Sequence, residues 1–198
     1  MRAALGDPDL FGRVFAGESW AAWRILLIAA MGEALTKLER VVFESLTGRH
    51  REPAERVDEL WAVIGRRGGK TRAVAVLAAY IAALCDHVDR LAPGERAVLP
   101  ILSASIWQAQ KAFGFLAGVF DAVPALSAMV IGRTAETIAL SNGVDIECRP
   151  ASYRTIRGAT AVAIVADKVA FWRTENSLNP TRRFSTRRGH RLPPRAAP

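Results

Sequence analysis

Apolar residues recur at helical spacing through the first 45 residues of the chain. They stand three or four positions apart, and they are Trp20, Trp23, Leu27, Met31, Ala34, Leu35 and Leu38. Such a stripe predicts helices over about residues 8–45, with one face packed against the rest of the protein. The two tryptophans fit this buried stripe, and a role in binding a ligand is the alternative. Residues 43–53 are predicted to form a turn or loop.

Beyond residue 53 the pattern changes to short apolar runs separated by helical segments. The runs that predict strands are 60–64, 97–102, 137–140, 144–148 and 161–166, and the helical segments are 71–84 and 105–120. This alternation predicts an α/β fold in which a mainly parallel sheet is flanked by helices, with an N-terminal helical extension in front of it.

Three local signals refine the predicted sheet. Pro100 interrupts the run 97–102 and removes a backbone donor, which favours an edge strand or a bulge. Asn142 and Gly143 accept the positive φ of a tight turn, so the runs on either side are expected to pair as a hairpin. The run 161–166 is apolar throughout, which is typical of a strand buried on both faces of a parallel sheet.

A glycine-rich segment joins the first predicted strand to the helix after it, and it reads Gly65-Arg-Arg-Gly-Gly-Lys-Thr71. Glycines allow backbone N–H groups to converge on an anion, and a helix that begins near Lys70 directs its positive end to the same place. Lys70 would add a charge, and Thr71 a hydroxyl for the Mg²⁺ that accompanies phosphates. Gly65 stands one place later than the first glycine of the pattern G-x-x-x-x-G-K-[ST]. The segment predicts a phosphate site; the alternative is a plain turn made by Gly68 and Gly69, with Lys70 solvated.

The net charge of +8 is unevenly distributed, because residues 181–198 hold six arginines and no acidic residue. The rest of the chain is therefore nearly neutral. No apolar run reaches the roughly 20 residues that span a bilayer, and the N-terminus lacks the apolar core of a secretory signal. We expect a cytoplasmic protein with no membrane partner. Two cysteines and three scattered histidines indicate neither a disulfide framework nor a zinc site.

A second chemical motif follows the run 161–166, where the next residue is Asp167. Nucleotide-binding sheets use a carboxylate in this position to hold Mg²⁺ beside the phosphates. Many buried strands end in an aspartate that only caps the next turn, so Asp167 gains its meaning from Lys70 and Thr71 earlier in the chain. Together these residues are interpreted as a Walker A and Walker B pair.

The two motifs resemble those of the large terminase subunits of tailed bacteriophages and prophages, whose N-terminal domain is the ATPase that packages DNA. The resemblance covers about residues 8–180, and its segments are Leu46-Thr-Gly-Arg49, Gly65-Arg-Arg-Gly-Gly-Lys-Thr71, Arg157-Gly-Ala-Thr160 and Asp167-Lys-Val-Ala-Phe-Trp-Arg173. It implies a P-loop NTPase-type fold with ATP and Mg²⁺ as cofactors. It also implies an oligomer in the bacterial host cell whose partners are double-stranded DNA, the small terminase subunit and the portal protein. A fragment of another P-loop ATPase, such as a helicase, is an alternative.

The resemblance also implies roles for individual residues of the glycine-rich segment and of the second motif. Those expected to contact the nucleotide phosphates are Gly65, Gly68, Gly69, Lys70 and Thr71. Arg66 or Arg67 is expected to stabilise the γ-phosphate. Thr71 and Asp167 are expected to hold the metal ion.

The resemblance also extends to a segment near the adenine, and this chain departs from it at Lys168. The region of Thr47 and Arg49 is expected near the adenine. In the family a glutamate that activates the attacking water follows the metal-holding aspartate, but Lys168 stands in that place here. An ammonium group cannot accept the proton of the water, so hydrolysis is expected to be impaired, and Glu175 is predicted to be a solvated loop residue rather than a substitute. A non-hydrolysing nucleotide-binding interaction module is therefore the second hypothesis.

The resulting organisation is a helical extension over residues 1–45, an ATPase domain over 46–180 and a basic tail over 181–198 that is expected to be disordered. The remaining ATPase strands and the C-terminal nuclease domain of the family do not occur in these 198 residues. We therefore expect an incomplete ATPase domain without translocation or DNA cleavage. The tail has the composition of GC-rich DNA read out of frame, which suggests a frameshift product in a prophage remnant. A basic arm that binds phosphate backbones is the alternative.

Overall fold

The computed structural model describes residues 1–151 and 158–172. The helices are α1 (Arg2–Gly6), α2 (Ala21–Ala30), α3 (Lys37–Thr47), α4 (Lys70–Leu84), α5 (Ile106–Ala122) and α6 (Pro124–Ser127). The strands are β1 (Ala97–Ser103), β2 (Val130–Arg133), β3 (Thr137–Leu140), β4 (Val144–Pro150) and β5 (Val165–Ala166). Short 3₁₀ helices occupy Glu18–Trp20, Val88–Arg90 and Val169–Phe171. Arg157, Glu175 and the tail 181–198, which figured in the sequence predictions, lie outside these residues.

The five strands form one sheet in the order β2-β3-β4-β1-β5. The pairs β4–β1 and β1–β5 are parallel, and the pairs β2–β3 and β3–β4 are antiparallel. The α/β class is confirmed, but the prediction of a mainly parallel sheet is wrong, because the sheet is mixed. The predicted hairpin of β3 and β4 is confirmed. The short turn at Asn142 and Gly143, where Gly143 has φ +84°, permits only antiparallel pairing, since a parallel pair needs a long crossover.

Pro100 lies in a central strand, so its prediction as an edge or bulge residue is wrong. It sits in the middle of β1, which pairs with β4 on one side and β5 on the other. The backbone N–H of Val98 points towards β5, where it donates to the Thr160 carbonyl (2.9 Å). Alternate residues of a strand form their hydrogen bonds on the same side, so the backbone nitrogen of Pro100 faces β5 as well. The ladder on that side consists of a bridge from Val98 to Ala161 and the short strand β5, with residues 163–164 unpaired between them. The backbone N–H that Pro100 lacks would thus face residues 163–164, which are unpaired. Because these residues are unpaired, only Val165–Ala166 of the predicted strand 161–166 forms a strand, β5.

The N-terminal helical prediction holds only in part. α1 ends at Gly6 because Asp7 precedes Pro8 and has an extended ψ of 119°. Residues 8–17 form turns rather than helix. α3 begins at a capping box in which the Thr36 hydroxyl accepts from the backbone N–H of Glu39 (3.3 Å), and the Glu39 carboxylate accepts from the Thr36 N–H (2.8 Å). α3 runs to Thr47, so part of the predicted loop 43–53 is helical.

Helices α4 and α5 pack on each other and against β4. The N-terminal segment is joined to α4 by hydrogen bonds from the Met1 ammonium to the Tyr80 hydroxyl and from the Arg72 guanidinium to the Val14 carbonyl. Ser105 is the N-cap of α5, because its hydroxyl accepts a hydrogen bond from the backbone N–H of Gln108 (3.3 Å). A single apolar cluster runs from Phe11 and Phe15 in the N-terminal turns to Ile146 in β4. The N-terminal helices therefore share one core with the sheet. Among residues 1–151 and 158–172, no helix combines the length and apolarity that crossing a bilayer requires.

Candidate phosphate-binding site

The direction of α4 decides which end of the sheet the glycine-rich segment faces. The Asn142 side-chain amide donates to the carbonyl of Ala82 (2.8 Å), near the C-terminus of α4. The adjacent Gly143 carbonyl accepts from the N–H of Ala97, at the start of β1 (2.9 Å). α4 therefore runs antiparallel to β1 and β4, and its 15 residues and the seven of β1 both span about 20 Å. Lys70 accordingly lies towards the carboxyl edge of the parallel strands, the edge at which Asp167 follows β5.

The loop before α4 has a defined conformation. Arg67 has φ +64° and Gly69 has φ +75°, both in the left-handed region. No side chain of residues 1–151 or 158–172 caps α4, and the first backbone hydrogen bond of the helix runs from Ala73 N to Gly69 O (3.1 Å). The N–H groups at the start of the helix thus have no intrahelical acceptors, as at every helix N-terminus. The ammonium of Lys70 folds back over the loop to the carbonyl of Gly65 (3.5 Å).

The residues before the loop do not form the predicted strand. Residues 60–64 have no regular secondary structure, and the side chains of Trp61 and Val63 are 61% and 96% exposed. The indole N–H of Trp61 donates to the carboxylate of Glu59 instead (3.1 Å). An apolar run becomes a strand only when a neighbouring strand pairs with it, and β5 is the last strand on that side of the described sheet. Of the predicted order of strand, glycine-rich loop and helix, the structure therefore contains the loop and the helix but not the strand before them.

Two tryptophans hold the loop, a function that the sequence did not reveal. The indole N–H of Trp23 donates to the carbonyl of Gly68 (2.8 Å). The ring of Trp20 lies against Gly69, where a Cβ would come within 2.7 Å of Trp20 Cζ3. The guanidinium of Arg72 stacks over the same ring at 5.1 Å. The stripe prediction identified both tryptophans as packing residues, but no local signal links them to glycines more than 40 positions away.

Asp167 and Lys168 form the other half of the candidate site. The backbone N–H of Asp167 donates to the carbonyl of Leu102 (2.8 Å), and its own carbonyl accepts from the indole of Trp172 (3.0 Å). Lys168 has φ +54° and ψ +42°, and its ammonium lies 3.8 Å from the Asp167 carboxylate. The Asp167 side chain is 17% exposed and that of Lys168 is 38% exposed. The carboxylate at this edge is therefore largely shielded and shared with a cation.

Thr47 and Arg49, predicted near the adenine, lie at the end of α3. The hydroxyl of Thr47 donates to the carbonyl of Phe43 (2.8 Å) and accepts from the N–H of Arg49 (3.2 Å). These bonds stay within the last turn of the helix. Arg66 and Arg67 are exposed between the glycines of the loop. The roles of all four residues stay predictions.

A polar pair at the carboxyl edge, one member of which is buried, was not anticipated. Ser103, the last residue of β1, is fully buried, and its hydroxyl donates to the side-chain carbonyl of Gln108 (3.2 Å). The bond ties the end of β1 to the first turn of α5. Because a buried hydroxyl needs a partner, the pair stabilises the edge on which Asp167 also lies.

The candidate residues fit a phosphate chain better than they fit a metal ion. Four of them are cationic, namely Arg66, Arg67, Lys70 and Lys168, and one is a carboxylate, Asp167. Within the ranges that the structure describes, His, Cys, Asp and Glu side chains form no group of three or more that could hold a metal ion. Thr71 and Asp167 remain the predicted metal-holding residues, but the carboxylate already faces an ammonium. Comparison of the sequence with models of known protein families and with curated proteins finds no match.

Proposed function

We propose that this chain is a nucleotide-binding domain of the ATPase type found in large terminase subunits, and that its hydrolytic activity is impaired. The observation that supports the proposal is the direction of α4, which puts Lys70 towards the same end of the sheet as Asp167, the residue that follows β5. A nucleotide bound there would present its phosphates to both. By the same resemblance, the domain would work in the bacterial cytoplasm, as part of an oligomer that packages double-stranded DNA with a small subunit and a portal protein.

The chemistry of the loop supports binding of the phosphates. The N–H groups that lack intrahelical acceptors at the helix start, together with the positive end of the helix dipole, favour an anion by about 0.3–2 kcal/mol. The Lys70 ammonium makes a long contact to the Gly65 carbonyl at 3.5 Å, and a phosphate oxygen can replace that contact. A charge-assisted bond to a phosphate is stronger than the bond that it replaces.

The second half of the proposal concerns Lys168. Hydrolysis of a nucleoside triphosphate requires a group that orients the attacking water and accepts its proton. The residue after Asp167 supplies an ammonium, which holds its proton at neutral pH. A domain of this kind binds nucleotide without turning it over, which favours a non-hydrolysing interaction module as the second candidate function.

The test is equilibrium binding of ATP in magnesium buffer to the intact chain and to its Lys70→Ala and Lys168→Glu variants, with phosphate release followed in the same samples. We expect Lys70→Ala to weaken binding by about tenfold or more, because a charged hydrogen bond is lost. Phosphate release should rise about 100-fold in Lys168→Glu, because a water-positioning carboxylate is restored.

The matched control is Lys37→Ala, since Lys37 is also the first residue of a helix but lies on α3. It should leave ATP binding unchanged. Equal affinities of the Lys70→Ala and Lys37→Ala variants would contradict the phosphate site. Turnover by the unmodified chain equal to that of Lys168→Glu would contradict the proposed impairment. Circular dichroism of each variant separates loss of binding from loss of fold.

A further inference from the structure

The pairing of Asp167 with Lys168 has a consequence for the metal requirement of the site. The ammonium of Lys168 lies 3.8 Å from Oδ2 of Asp167, directly after β5. A cation that already faces the carboxylate reduces the attraction of that carboxylate for a second cation. Asp167, the residue expected to hold Mg²⁺, is therefore a weaker metal ligand than an unpaired carboxylate would be.

The backbone at Lys168 has an unusual conformation. Lys168 lies in the left-handed region, which residues other than glycine, asparagine and aspartate rarely occupy. Both backbone groups of the preceding Asp167 are hydrogen-bonded, its N–H to the Leu102 carbonyl and its carbonyl to the Trp172 indole. The chain therefore turns sharply after a fixed Asp167, and in this turn the Lys168 ammonium lies beside the carboxylate.

The charges of the candidate residues favour a polyphosphate. A nucleoside triphosphate carries close to four negative charges at neutral pH, and Mg²⁺ normally neutralises part of them. Lys168 offsets the charge of Asp167, and the glycine-rich segment adds the positive charges of Arg66, Arg67 and Lys70. These side chains together offset most of the charge of a nucleotide bound between them, with no metal ion.

We infer that the site binds a nucleoside triphosphate without Mg²⁺, and that Lys168 supplies the charge that a metal ion would otherwise supply. This inference rests on the proposed function, because it concerns the same phosphate site. Lys168 acts by binding a phosphate oxygen and by neutralising Asp167. The ligand class is a free nucleotide polyphosphate rather than its magnesium complex.

The experiment measures the Kd of ATP for the full chain in EDTA and in excess MgCl₂, by titration calorimetry. The unmodified chain should bind ATP with similar Kd values in the two buffers, within about threefold. Lys168→Asn removes the charge, and asparagine tolerates the left-handed backbone. This variant should bind metal-free ATP about tenfold more weakly, while its Kd in MgCl₂ changes less. Lys37→Asn is the matched control and should bind like the unmodified chain in both buffers.

The outcomes separate the two proposals. Binding by the unmodified chain in MgCl₂ but not in EDTA would overturn metal-independent binding and leave the nucleotide site in place. Binding in neither buffer, by a chain that circular dichroism shows to be folded, would overturn the proposed function itself. An unchanged ratio of the two Kd values in Lys168→Asn would overturn the role of Lys168. Inorganic triphosphate should also bind in EDTA, because the negative charges that the cationic side chains attract belong to the phosphates and not to the nucleoside.

Discussion

Gly69 has two constraints that no other residue type satisfies together. Its φ of +75° lies in the left-handed region, and a Cβ at this position would come within 2.7 Å of the Trp20 ring. Gly65, four residues earlier, has an ordinary φ, and a Cβ there would meet no atom within 4 Å. Of these two glycines of one motif, only Gly69 is restricted to glycine by its own backbone and packing.

We predict that Gly69→Ala lowers the free energy of unfolding by about 1–2 kcal/mol, because the backbone is strained and the Trp20 ring must shift. Gly65→Ala is the matched control and should stay within about 0.5 kcal/mol of the unmodified chain. Urea unfolding followed by circular dichroism measures both. Equal stabilities of the two variants would mean that Trp20 does not restrict Gly69.

At the scale of elements, α3 shows that helical periodicity identifies a helix without identifying its buried face. Phe43 is 4% exposed and anchors the helix, whereas Val41 is 68% exposed and Leu38 is 83% exposed. Leu38 belonged to the predicted buried stripe, so that assignment is wrong. The sequence shows which residues are apolar, but the packing of α3 on α2 decides which of them are covered.

We expect Phe43→Ala to lower the free energy of unfolding by about 3 kcal/mol, since a buried aromatic ring leaves a cavity. Val41→Ala removes a side chain of the same helix that is exposed, and the change should stay below about 0.5 kcal/mol. Thermal and urea unfolding of the two variants provide the measurement. A Val41→Ala variant as unstable as Phe43→Ala would show that α3 buries its other face.

At the scale of the whole molecule, ion pairs connect the N-terminal helices. Arg2 of α1 donates through both guanidinium nitrogens to the Glu39 carboxylate of α3, at 2.8 and 2.9 Å. The hydrogen bonds from Arg2 lower the pKa of Glu39 to about 2. Those from Arg40 and from the Leu35 N–H likewise lower the pKa of Glu52 to about 2. Both carboxylates therefore favour the folded state when they are ionised.

We predict that the chain loses stability as the pH falls from about 4.5 to about 2. A carboxylate with a depressed pKa stabilises the folded state fully above its unfolded pKa of about 4.3, and this contribution disappears as the pH passes the folded pKa. Glu39→Gln should remove part of this dependence, about 1 kcal/mol for a partly exposed pair. Thermal unfolding between pH 2 and pH 7 measures the effect.

The control for the pH experiment is Glu18→Gln, because no ion pair of the Glu18 carboxylate is found among the residues that the structure describes. This variant should alter the pH dependence of the thermal midpoint less than Glu39→Gln does. A pH profile of Glu39→Gln that runs parallel to that of the unmodified chain would contradict the role of the Arg2 pair.

Much of the fold could be predicted from the sequence, because its signals are local. The start of α4 at Lys70, the hairpin at Asn142 and Gly143 and the extent of α5 each follow from a turn, a cap or a periodicity within a few residues. The residues of the candidate site could also be identified from local sequence patterns. Glycines, Lys70 and Thr71 stand side by side in the chain, and Asp167 directly follows an apolar run.

Only the tertiary structure decided the features that depend on distant pairing. The mixed sheet, the central position of Pro100 and the absence of a strand over residues 60–64 depend on which strand lies beside which. The contacts of Trp20 and Trp23 with the glycine loop also join residues far apart in the chain. Local patterns determine what a segment can become. Pairing and burial against distant segments determine what it does become, because strands and buried faces are stabilised only by their neighbours.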